Sequence, residues 1–273
     1  MTIRLITGVA LGALLAACTT TQDTAMPATA SVSIPQATGP FAEDWTLPFH
    51  TTDFSKIQDS DYKPAFEQAM AIHRAEIEAI KANPEPPTFD NTIVALERSG
   101  RMLNRVYAAF GTVTGAHTNA TLDAIEAEMS PKLSAHFDAI TLDPELFARV
   151  KAVYDNRAAM SLTPEDAWLL EDTWRDMVHA GALLDDAQKE EVKAINTRLS
   201  ELTTQFSQRL VEATNANALV VADRAALAGL SEAEITAAAK AAEARGLSGQ
   251  YLLALQNTTQ QPALATLADC ATR

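Results

Sequence analysis

The chain has 273 residues, enough for one large domain or two small ones with a substantial buried core. Apolar residues make up 47% and charged residues 21%, which excludes a disordered chain and a polytopic membrane protein, while 52 Ala against only 10 Gly favours an all-α fold. The net charge of −14 lacks the basic surface that nucleic-acid binding requires, so no nucleic-acid partner is expected.

Residues 1–17 hold Arg4 and then an apolar run over 5–17, a secretory signal too short to span a membrane. The end of that run, Leu15-Ala16-Ala17-Cys18, resembles the bacterial lipobox, in which the signal is cut before the Cys and the Cys is acylated. Cys18 is therefore the expected lipidation site. Each buried acyl methylene adds about 0.8 kcal/mol, so two or more chains anchor stably. Thr19 after the Cys fits the sorting pattern of outer-membrane lipoproteins, which implies a cell-envelope protein facing the periplasm. Residues 18–42, rich in Thr, Ala, Ser, Pro and Gln, are expected to be a flexible tether.

From about residue 60 the apolar residues recur every 3 or 4 positions. A helix over 61–82 aligns Phe66, Met70, His73, Ile77 and Ile80, with Pro64 in its first turn. A second, from about Asp90, carries Ile93, Leu96, Gly100, Leu103, Tyr107 and Phe110. Gly100 lies on that stripe, where a neighbouring helix would approach closely. A third, over 119–140, carries Leu122, Ile125, Met129, Leu133, Phe137 and Ile140. Asp143-Pro144 and Thr163-Pro164 each supply an N-cap and a first-turn Pro, opening helices over 144–159 and 164–181, the latter closed by Gly181. The longest helix, 186–215, aligns Val192, Ile195, Leu199, Leu202, Phe206, Leu210 and Ala213 at near-heptad spacing, read as one side of an antiparallel bundle, the alternative being a dimer zipper.

Beyond 216 the character changes. Residues 218–222 and 251–255 are β-prone, separated by a helix that the Ser231–Glu234 capping box opens and Gly246 closes. Two strands joined by a helix are expected to run parallel, and a pair alone makes no stable sheet, so partner strands are missing. Pro262 is expected to open a last helix with Leu264 and Leu267 inward. The sequence stops at Arg273 without a cap, which reads as a truncated protein.

Chemistry is harder to find. His50, His73, His117, His136 and His179 include no H-E-x-x-H and no pair at zinc-ligand spacing. His73 with Glu76 reads as a helix-surface contact, and His117 and His179 lie at helix ends, where an imidazole meets free carbonyls. Cys270 reads as a small packing residue. Trp168 and Trp174, six residues apart, are expected to divide between core and seam. No catalytic residue and no metal ligand is assigned.

The order of local phrases is nevertheless distinctive. Tyr62-Lys-Pro-Ala-Phe66 precedes Pro87-Thr-Phe-Asp-Asn-Thr-Ile93 and Ala95-Leu-Glu-Arg-Ser-Gly100. Then come Leu162-Thr-Pro-Glu165, Ala180-Gly-Ala-Leu183, Leu227-Ala-Gly-Leu-Ser231 and Leu255-Gln-Asn-Thr-Thr-Gln-Gln-Pro262. Residues 43–273 resemble the N-terminal part of bacterial peptidyl-dipeptidases of the thimet-oligopeptidase family of zinc metallopeptidases. The resemblance implies a mainly α clamshell whose N-terminal half forms one wall. Its other half binds zinc through H-E-x-x-H and a later Glu, and releases dipeptides from the C-termini of short peptides. None of that zinc motif is present here, so no cofactor is expected in this chain and zinc only in the complete enzyme.

The expected organisation is a signal peptide over 1–17, a tether over 18–42, a helical domain over 43–215 and a βαβ segment over 216–273. The expected partners are short peptides, the membrane and a missing catalytic half. The alternative is a stand-alone lipid-anchored helical module that binds peptides or proteins without enzymatic activity.

Overall fold

The structure, a computed structural model, describes residues 32–273. The signal over 1–17, Cys18 and the first part of the tether lie outside the described residues. The described fold is mainly α, as composition predicts, with one two-stranded sheet near the C-terminus.

Helix α1 (Asp59–Lys81) begins where the Gln58 N–H donates to the Asp61 carboxylate at 2.8 Å. This start is two residues earlier than expected and leaves Pro64 in the second turn. All five residues of its predicted stripe are buried. The expected second helix is broken. A π-turn over Phe89–Val94, capped by Thr88, leads into the short α2 (Ala95–Arg98). Ser99 is then extended and Gly100 adopts φ +69° before α3 (Arg101–His117). The Gly100 N–H leaves the helical ladder and donates to Glu76 Oε2 on α1 at 2.7 Å. The bend sends Ile93 into one core and Leu103 into another.

The caps read from the sequence are present. Asn119 accepts from the Thr121 and Leu122 N–H groups to open α4 (Ala120–Thr141). Asp143 does the same for Glu145 and Leu146 at α5 (Pro144–Asp155). Thr163 and Asp166 form a capping box at α6 (Pro164–Ala180), and Gly181 at φ +112° closes that helix in the left-handed region.

Three apolar clusters follow. The first joins α1, α3 and the N-terminal part of α4 around Phe66, Leu103, Val106 and Leu122. The second joins the end of α1 to α5 and α6 around Ile93, Leu146, Val150 and Leu170. The first also takes in part of the expected tether. Phe41 is fully buried against Tyr62 and Trp45, with ring centroids 5.6 and 5.8 Å away. The Arg105 guanidinium donates to the Phe41 and Ala42 carbonyls, both at 3.0 Å. An aromatic side chain fixed from both sides does not end a loose linker, so the ordered domain starts ahead of residue 43.

Helix α7 (Asp186–Ala216) opens on a capping box between Asp185 and Gln188 and packs along α4. Behind it the third cluster holds the C-terminal elements β1 (Leu219–Val221), α8 (Glu232–Glu243), β2 (Tyr251–Leu253) and α9 (Asn257–Thr266). The strands pair with each other and run antiparallel, Leu219 opposite Leu253 and Val221 opposite Tyr251. This corrects the parallel βαβ expectation. Gly246 at φ +75° closes α8 with the Leu247 N–H on Ala242 O, and the chain returns to pair β2 with β1 alone; for an isolated pair the antiparallel ladder is slightly the more stable per residue. Gly229, at φ +103°, lies where a Cβ would be 2.0 Å from the Thr266 carbonyl, so only glycine lets the two segments meet. Helix α9 starts at Asn257 and contains Pro262; Leu267 is buried as expected, whereas Leu264 faces outward because Ala263 takes the inward position.

Candidate functional site

Among the described residues, the longest run of exposed large apolar side chains lies on α7. Its polar seam meets α4, where Asn196 donates to Asp138 at 2.8 Å and Gln208 donates to the Asp123 carbonyl at 2.9 Å. Burial raises the Asp138 pKa, opposed by the Asn196 hydrogen bond and by Lys193. With the seam committed to α4, the apolar stripe beside it is left open to solvent. Leu199 is 59% and Phe206 68% exposed, and Ile195, Leu202 and Leu210 are exposed too. The expectation of a stripe buried inside a bundle is therefore corrected: among the described residues no second helix covers it.

Between α4 and α7 runs an open groove of about 410 Å³, lined by Tyr107, Leu133, Phe137, Leu199, Thr203 and Thr204. Tyr107 and Phe137, expected in the core, are half open to solvent at its edge. A second hollow of about 380 Å³ lies among α8, β2 and α9, walled by Leu230, Ala238, Leu252 and Pro262 with Glu234 at its rim. The walls of both hollows are largely apolar, with Ser200, Thr203 and Thr204 hydroxyls along the first and Thr258 and Thr259 along the second.

The histidines resolve differently from the sequence expectation. His73 is not a surface contact. It is buried, its Nε2 lies 3.1 Å from Ser99 Oγ, and its Nδ1 lies 3.0 Å from Nε2 of the buried His136. Burial lowers the pKa of both rings; His136 is pushed down to about 4 by burial first, then by His73 and Arg74. The signal for the pair was present but weak, since His73 and His136 each fall on the core side of an apolar stripe. His50 Nδ1 lies 3.0 Å from the Trp45 carbonyl, and His117 and His179 occupy the last turns of α3 and α6. Trp174 stacks on Tyr154 with ring centroids 4.2 Å apart, while Trp168 is exposed beside Arg175. Cys270 is exposed, not packed, because α9 has ended before it.

These residues do not fit a zinc ion. Among the described residues no three His, Cys, Asp or Glu side chains converge as ligands. The two imidazoles that meet direct their facing nitrogens at each other, which leaves no pair of lone pairs aimed at one point. No helix among the described residues is long and apolar enough to cross a membrane.

Fold and surface together define a helical scaffold that presents one long apolar face. No family model matches the chain. It is 46% identical to the dipeptidyl carboxypeptidase of Escherichia coli (strain K12) over 234 residues, 86% of this chain and 34% of that protein. It is 43% identical to the dipeptidyl carboxypeptidase of Salmonella typhimurium over 237 residues, 87% of this chain and 35% of that protein. Oligopeptidase A of Escherichia coli is 27% identical over 217 residues, 80% of this chain and 32% of that protein. The chain is thus a homologue of the dipeptidyl carboxypeptidases and oligopeptidases A of the thimet-oligopeptidase family. It spans about a third of the length of these relatives.

Proposed function

We propose that this chain is a non-catalytic, wall-forming portion of a zinc-dependent peptidyl-dipeptidase that removes dipeptides from the C-termini of short peptides. The observation that carries this is the 46% identity over 86% of the chain to a dipeptidyl carboxypeptidase of which it spans only 34%. The uncovered face of α7 supports it, because that much apolar surface on one helix calls for a large neighbour. In the complete enzyme zinc would polarise the scissile carbonyl and activate water, and its ligands would come from residues other than those described here. This chain's contribution is a rigid wall that excludes folded substrates and admits short peptides.

Anchoring at the outer membrane through a lipidated Cys18, facing the periplasm, is proposed from the Leu15–Cys18 motif and Thr19. The size of the product in its source cells tests the proposal, using an antibody against the helical region. A band far larger than 29.3 kDa, carrying zinc and dipeptide-releasing activity, is expected. A sole band near that mass would overturn it.

A further inference from the structure

Ser99, His73 and His136 form a hydrogen-bonded chain that links the α2–α3 bend to α1 and α4. Its polarity follows from proton counting. Ser99 Oγ lies 2.6 Å from the Leu96 carbonyl, an acceptor only, so the hydroxyl proton is committed there. The Ser99 oxygen must then accept from His73 Nε2–H. That leaves His73 Nδ1 as the acceptor for His136 Nε2–H. Both rings are therefore neutral Nε2–H tautomers, and His136 Nδ1 is a buried lone pair with no partner. The direction is forced at every link.

A chain of this kind has one weak point. A proton added at His73 Nδ1 sets two donors against each other, and a proton added at His136 Nδ1 creates a buried, unpaired donor beside a new charge. We propose that the Ser99–His73–His136 chain is an acid-labile clasp. It holds the Ser99–Gly100 bend on α1 and α4 while both rings are neutral, and releases it when either ring is protonated.

Neither ring has an ion-pair partner. On α1, Arg74 adds positive field at His136, and the Glu76 carboxylate is bonded to the Gly100 N–H. Next to the bend, Glu97 and Arg98 lie on α2, and Arg101 at the start of α3 pairs with Asp44. On α4, Asp138 is bonded to Asn196 of α7, and Phe137 turns its ring to His136 with centroids 5.4 Å apart. On α6, Arg175 pairs with Asp172. Burial keeps both imidazoles below their ordinary range, so the clasp stays closed at neutral pH.

The test is ring-nitrogen NMR on the full chain labelled at histidine, with backbone amide shifts followed from pH 7.5 down to 4. Two rings with the proton on Nε2 are expected, and the Ser99 and Gly100 amides should shift along the same curve as the ring that titrates. A proton on Nδ1 of either ring, or bend amides that do not follow that curve, would overturn the clasp. His136→Gln, whose amide can still donate to His73, supplies a second readout. Its urea midpoint should fall less than that of wild type between pH 7 and pH 4.5. An equal fall in both proteins would also overturn it.

Discussion

The Gly100 N–H donates to Glu76 Oε2 at 2.7 Å, and the His73 ring fills the space where a Gly100 side chain would project. A Cβ at residue 100 would lie 2.9 Å from that ring on a backbone at φ +69°. Gly100→Ala therefore combines left-handed strain with overpacking and should cost about 2–3 kcal/mol, read from the urea midpoint. Glu76→Ala strands the partly buried N–H and should cost about 1–2 kcal/mol.

Asp143 serves two neighbours at once. It caps α5, and it bonds Lys81 Nζ at 2.7 Å with both side chains mostly buried. Asp143→Ala should cost about 2 kcal/mol, roughly half from the cap and half from the ion pair. Burial lowers the Lys81 pKa, but hydrogen bonds to Asp143 and Glu78 outweigh it and raise the net value. A raised folded-state pKa gives stability that is complete below pH 10.5 and is lost as pH climbs beyond it. The gap between wild type and Asp143→Ala should therefore narrow in denaturation curves above that pH.

The caps and most core stripes were legible because they are written within a few residues: Asp143-Pro144, Thr163 with Asp166, Ser231 with Glu234, and Gly181 as a stop. The break at Gly100 was not legible, since the 3,4,3,4 spacing runs through it and the lost helical bonds are replaced from α1. Periodicity says that α7 has an apolar face, but not whether anything covers it. The His73–His136 pair joins positions 63 apart, and nothing local in the chain brings them together. The direction of the strands was not legible, because a connection that contains a helix is long enough for either parallel or antiparallel pairing.

The exposed face of α7 should behave as surface in this chain. Replacing Leu199 and Phe206 together with Gln should change stability by less than about 1 kcal/mol and reduce binding of a hydrophobic fluorescent dye. Leu146→Ala, in the second cluster, should instead cost about 2–5 kcal/mol.

If Cys18 is the acylated residue, Cys18→Ala should abolish fatty-acid labelling in a bacterial host and leave an uncleaved precursor. Fractionation with radiolabelled palmitate reads both effects. Labelling that survives the substitution would place the anchor elsewhere or remove it from the account.

On the proposed reading, the described residues supply one wall of a peptidase, and the zinc centre comes from elsewhere. The most direct measurement is dipeptide release from a short peptide with a free C-terminus, using the purified chain with added zinc and mass-spectrometric detection. No release above buffer is expected at any zinc concentration. Zinc-dependent release that co-elutes with the chain would contradict it.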